Sequence, residues 1–159
     1  MAVVVAIQGP SGSGKTTLIE QVIPRLTAHG LRVGVVKHAH EGFTLDQRGK
    51  DSQRFWASGA QTVLVAGPDE LFVRQRRSSC DLAELLALLP QGLDCVLVEG
   101  FTHTANAIDV PVAVHVEITA EGVRLNGRLV AGDAAALSAV EEAIVESLQG
   151  AHKHLGTRT

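Results

Sequence analysis

A chain of 159 residues, 45% of them hydrophobic, has the size of one domain around one packed core. A net charge of -3, with 19% charged residues, argues against a nucleic-acid binder held by bulk electrostatics. Aromatic residues at 3%, without a tyrosine, also disfavour a base-stacking surface for single strands.

In chain order, the β-branched run AVVVAIQ (2–8) reads as a strand buried on both faces of a parallel sheet. It lacks a basic leader and a cleavage site, so a strand is expected there and not a signal peptide. The glycine-rich stretch GPSGSGKTTL (9–18) follows directly. Leu18, Ile19, Val22, Ile23 and Leu26 then recur at helical spacing, with Gly30 as a stop. Pro24 is expected to kink this helix or shift its start. LRVGVVKH (31–38) is a second strand, followed by a polar loop. A short helix is expected from about Lys50, with Asp51 or Ser52 near its start and Phe55 and Trp56 packing it onto the sheet. QTVLVAG (61–67) and ELFVRQR (70–76) predict a hairpin across GPD. Asp81 caps a short apolar helix that ends at Pro90. LDCVLVEGF (93–101) is a buried strand that finishes at Glu99-Gly100.

Beyond it, residues 110–130 alternate, with turn signals AEG and NG, and predict two or three antiparallel strands. A final amphipathic helix runs from an Asp133 cap to about Gln149. The reading is one domain over 1–150 and a polar, frayed tail over 151–159. The fold class is α/β: a mostly parallel sheet flanked by helices, with an antiparallel β-extension in the last third. Cys80 and Cys95 have no CxxC spacing, so no disulfide framework is expected and a reducing cytoplasm fits. No apolar run reaches membrane-spanning length.

Residues 9–16 fit the pattern G-x-x-x-x-G-K-[ST], which indicates a P-loop NTPase. The glycines let successive N–H groups wrap an anion, and the next helix adds its positive end. Gly12, Ser13, Gly14, Lys15, Thr16 and Thr17 are the expected phosphate contacts. Lys15 reaches the β- and γ-phosphates, and the Thr16 hydroxyl ligates Mg2+.

Glu99 ends a buried strand where an open α/β sheet presents ligands, so it is a candidate for the metal or for positioning water. With Lys15 it forms the candidate catalytic pair. Asp46 and Asp51 lie in the loop after the second strand; one of them is expected in the Mg2+ shell, the alternatives being a solvated Asp46 and a capping Asp51. Lys37, His38 and His40 end the second strand as KHAH and face the same crevice; Lys37 and His38 are candidate ligand contacts. The basic run Arg74 to Arg77 could meet an anion or be a solvated strand end.

GPSGSGKTTL, VGVVKHAHEGFTLDQRGKDSQRFWASGA and CVLVEGF together resemble the MobB family, molybdopterin-guanine dinucleotide biosynthesis protein B, over roughly the first hundred residues. The resemblance implies a GTP-binding protein with weak Mg2+-dependent hydrolysis. It also implies a homodimer that assists the partner nucleotidyltransferase of molybdenum cofactor synthesis; charge, aromatic content and apolar run lengths add the expectation of no nucleic-acid or membrane partner. Arg48, Lys50 and Arg54 fall in the family's distinctive loop. Glu41 stands where the family often has a histidine, residues 101–132 diverge from the pattern, and N-K-x-D is missing. Guanine preference therefore comes from the resemblance alone.

The alternatives differ in what else they need. A small-molecule kinase or an ATP-dependent ligase of the dethiobiotin-synthetase kind shares the P-loop and the strand-end acid, and a kinase usually adds an arginine-rich lid. A nickel metallochaperone GTPase predicts closely spaced Cys and His ligands. A non-catalytic anion-binding module needs only the loop.

Overall fold

The computed structural model describes residues 2–39, 42–78, 81–101, 110–130 and 132–155, the last four of these as backbone only. His40, Glu41, Cys80 and His103 lie outside the described residues. In chain order the elements are β1 (Val3–Gln8), α1 (Lys15–Ala28), β2 (Val33–Lys37), α2 (Asp51–Ala57), β3 (Thr62–Ala66), β4 (Leu71–Gln75), α3 (Leu82–Ala87), β5 (Cys95–Glu99), β6 (Val114–Thr119), β7 (Gly122–Leu125), β8 (Arg128–Val130) and α4 (Asp133–Leu155). They form two units, Met1–His38 with Asp81–Thr159, and Ala39–Cys80.

The first unit carries a sheet in the order β2-β5-β1-β6-β7-β8. β5 is buried at every position, because its alternate residues enter two cores. Cys95 and Leu97 join Val5, Ile7, Leu26, Val140 and Ile144 under α1 and α4. Val96 and Val98 join Val36, Leu82 and Phe101 on the opposite face, with Leu85 and Leu86 of α3 packed against them. That two-sided burial explains an apolar run without alternation. β6 alternates instead: Val114, Val116 and Ile118 are buried, while His115 and Glu117 face solvent.

Four expectations need correction. β6 is not purely antiparallel: it pairs parallel with β1 and antiparallel with β7, so the extension begins only at β7. The fixed left-handed turn at Asn126 (φ 48°) and Gly127 (φ 82°) then reverses β7 into β8. α1 runs unbroken through Pro24. The proline sits on the exposed side of the helix beside Glu20, where water can satisfy the carbonyl that it frees. Asp133 is the first helical residue of α4 and not its cap, since the Gly132 carbonyl accepts the first helical bond, from Ala136 N–H at 2.9 Å. α4 also continues to Leu155, past the expected end at Gln149. Leu137, Val140, Ile144 and Leu148 give it a continuous buried stripe, and packing carries the helix into polar sequence.

The second unit is α2 with the antiparallel hairpin β3–β4, in register from Thr62↔Gln75 to Ala66↔Leu71. Two arginines of the hairpin side lie over the Trp56 ring of α2: Arg74 at 4.3 Å and Arg76 at 4.1 Å from its centre. Arg76 also donates to the Trp56 carbonyl at 2.9 Å and the Ala60 carbonyl at 3.2 Å. These two arginines of the basic run therefore hold the unit together. Phe55, expected in the packing of α2, is 60% exposed.

Candidate phosphate and cation site

The turn from β1 into α1 is shaped by three glycines. Gly9 has φ 149°, and a Cβ there would stand 2.6 Å from the Ile118 carbonyl oxygen and 2.9 Å from Ser13 Oγ. The loop can lie against β6 only because that side chain is missing. Gly12 (φ 72°) and Gly14 (φ 93°) are left-handed with open space around them. Gly14 caps α1 without a side-chain bond, and the first turn carries no acid. The N–H groups and positive end of α1 are thus left uncompensated by side chains.

Within this loop, Ser13 N–H donates to the Pro10 carbonyl at 3.3 Å. Ser13 Oγ is buried and has no hydrogen-bond partner among the described residues. Lys15 Nζ donates to the Gly9 carbonyl at 2.9 Å and the Pro10 carbonyl at 2.6 Å. An ammonium has three protons, so this folded-back posture keeps one available. Thr16 and Thr17 are exposed at the start of α1.

Glu99 is 8% exposed at the end of β5. Its Oε1 accepts from the Thr16 hydroxyl at 3.4 Å and lies 3.2 Å from Lys37 Nζ. The parallel register sets Lys37 directly beside Glu99 and Glu99 directly beside Ile7. Three consecutive sheet strands thus deliver the loop, the acid and the lysine to one carboxyl edge. The backbone N–H of His38 donates to the backbone carbonyl of Glu99 at 3.0 Å, which continues the β2–β5 ladder by one residue, and the His38 ring stacks on Phe101 at 4.6 Å.

Asp46 and Asp51 belong to the second unit. Asp46, with a side chain 10% exposed, accepts from the Ser52 hydroxyl at 2.9 Å and pairs with Arg74 at 3.5 Å. It fastens the loop before α2 to the hairpin. Asp51 is 80% exposed and pairs with Arg54 at 3.4 Å.

Phe101 was missed in the sequence. It is buried with φ 62°, directly after Gly100 at φ 94°. Two successive left-handed residues turn the chain sharply just past Glu99. The glycine signals such a turn; nothing in the sequence signals that a phenylalanine shares it.

Residues 4–122 match the family described as Molybdopterin guanine dinucleotide synthesis protein B. The match continues beyond Phe101 to the first residue of β7, further than the quoted motifs reach. The chain is 41% identical over 97 residues to the molybdopterin-guanine dinucleotide biosynthesis adapter protein of Haemophilus influenzae, covering 60% of this chain and 54% of that protein. With the Escherichia coli adapter protein it shares 38% identity over 97 residues, covering 58% of this chain and 55% of the other. It therefore spans just over half the length of these curated relatives. The crystal structure of Bacillus subtilis MobB superposes with a TM-score of 0.60 at 32% identity, covering 75% of this chain and 69% of that one. With its residues 4–122 matched throughout, this chain belongs to the MobB family.

Proposed function

We propose that the chain is a GTP-binding adapter in molybdopterin guanine dinucleotide biosynthesis, with weak Mg2+-dependent hydrolysis. The observation that carries the reading is the buried Ser13 hydroxyl, without a partner among the described residues, inside a cradle where Gly9 admits no side chain. A phosphate oxygen supplies the partner that this atom lacks. Lys15, Ser13 and Thr17, with the N–H groups of Gly12 to Thr16, hold the phosphates electrostatically.

Thr16 and Glu99 are the residues to hold Mg2+, since both offer hard oxygen ligands a short distance apart. Among the described residues no group of three or more His, Cys, Asp or Glu could hold a metal by itself. When bound, Mg2+ supplies charge neutralisation across the phosphate oxygens. Glu99 orients the attacking water, and Lys15 counters charge at the γ-phosphate. No covalent intermediate with the protein is involved.

The adapter role follows the names of the relatives, with the partner nucleotidyltransferase as the enzyme assisted. The working form is a cytoplasmic homodimer. Among the described residues no helix is long and apolar enough to cross a membrane. A binding panel of GTP, ATP and GDP in magnesium buffer tests the reading. GTP is expected to bind most tightly. A preference for ATP, with phosphoryl transfer to a small acid, would replace it by the kinase or ligase alternative.

A further inference from the structure

We propose that Lys37 is a built-in counter-ion that occupies Glu99 in the nucleotide-free protein and must leave it for a divalent cation to bind. The proposal rests on the phosphate-site reading above and deepens it.

Glu99 is the one buried charged residue among those described. A carboxylate out of water is costly unless it is paired. Its neighbour across the β2–β5 ladder provides the pair: Lys37 and Glu99 are register partners, each the last residue of its strand. Lys37 Nζ and Thr16 Oγ1 converge on the same atom, Glu99 Oε1, at 3.2 Å and 3.4 Å. The ammonium therefore stands at the oxygen that a cation shared by Thr16 and Glu99 needs.

The Lys37 side chain is 55% exposed, so its head can swing away without opening the core. The charges stay matched through the exchange. Before it, one ammonium neutralises one carboxylate. After it, the carboxylate faces the divalent cation, and Lys37 is released toward the phosphates that arrive with that cation. Metal binding without nucleotide must displace Lys37 with no anion to receive it. The device thus ties cation affinity to the presence of phosphate, a coupling free energy between two ligands.

The test uses Mn2+ as the probe, followed by electron paramagnetic resonance on the full chain, with and without GTP. Parent, Lys37→Met, Lys37→Arg, Glu99→Gln and the Lys37→Met/Glu99→Gln double variant are compared. Without GTP, Lys37→Met is expected to tighten Mn2+ binding by about two- to fivefold, the range for a partly exposed ion pair. Lys37→Arg should behave as the parent. In the Glu99→Gln background, Lys37→Met should change nothing, because the two act through one contact. The proposal is overturned if Lys37→Met leaves Mn2+ binding unchanged, undetectable or weaker, or tightens it equally when Glu99 is already gone. Failure of the parent to bind GTP at all, measured in the same titrations, strikes instead at the phosphate-site reading.

Discussion

Gly9→Ala probes how the loop is held. Two costs combine at this position. A side chain at φ 149° is strained, which is worth about 1–3 kcal/mol. The new Cβ also lies 2.6 Å from a backbone oxygen of Ile118, which cannot rotate away, and overpacking of this kind costs about 1–3 kcal/mol. Together they predict a loss of about 2–6 kcal/mol. Gly12→Ala is the control, because φ 72° with open space leaves only the left-handed penalty, about 1–2 kcal/mol. Urea unfolding followed by the helical circular dichroism signal reports the first unit, which holds α1 and α4. With a slope of about 2 kcal/mol per molar urea, Gly9→Ala should lower the midpoint by about 1 M or more, and Gly12→Ala by about half as much. Equal midpoints for the two variants would refute the claim that β6 fixes the loop.

Asp46→Ala should destabilise the second unit by about 1–3 kcal/mol and shift the emission of Trp56, since Arg74 loses its carboxylate while stacked on that ring. Asp51→Ala, at an exposed pair, should do neither; a matching shift in both would contradict the assignment. Burial, and then the Asp94 charge, push the Cys95 thiol up to about 11. In a Cys80→Ser background, Cys95 should resist a thiol reagent at mildly alkaline pH until the chain unfolds; rapid labelling of native protein would count against this. Hydrogen bonds from Arg25 and then His29 hold the Glu141 carboxyl below its ordinary 4.5. A depressed folded value gives stabilisation that is present above pH 4.5 and lost as pH falls through the folded value. Thermal melts of Glu141→Gln should therefore show a flatter acid limb, and superimposable profiles would deny Glu141 that role.

The legible parts of the sequence were those with local causes. The glycine loop, the β5 run and the Asp81 cap each follow from residues next to one another, and Asp81 does accept from Ala83 N–H at 2.8 Å. The pairing of β6 was not legible, because alternation reports one open face and says nothing about strand direction. Lys37 and Glu99 were each noticed at a strand end, but their contact depends on the β2–β5 register, which only the assembled sheet fixes. The ion pair of Asp46 with Arg74 was not legible for a related reason: its partner comes from a hairpin far along the chain. The Arg74 and Arg76 stack on Trp56 likewise hid a structural use behind a basic run.

The central claim is that the loop between β1 and α1 holds a triphosphate through Lys15. Calorimetric titration of GTP in magnesium buffer, into the parent and into Lys15→Ala, tests it most directly. Loss of the charge-assisted contacts should weaken binding by about tenfold to a hundredfold. Unchanged affinity in Lys15→Ala, or no heat from the parent with any purine triphosphate, would contradict it.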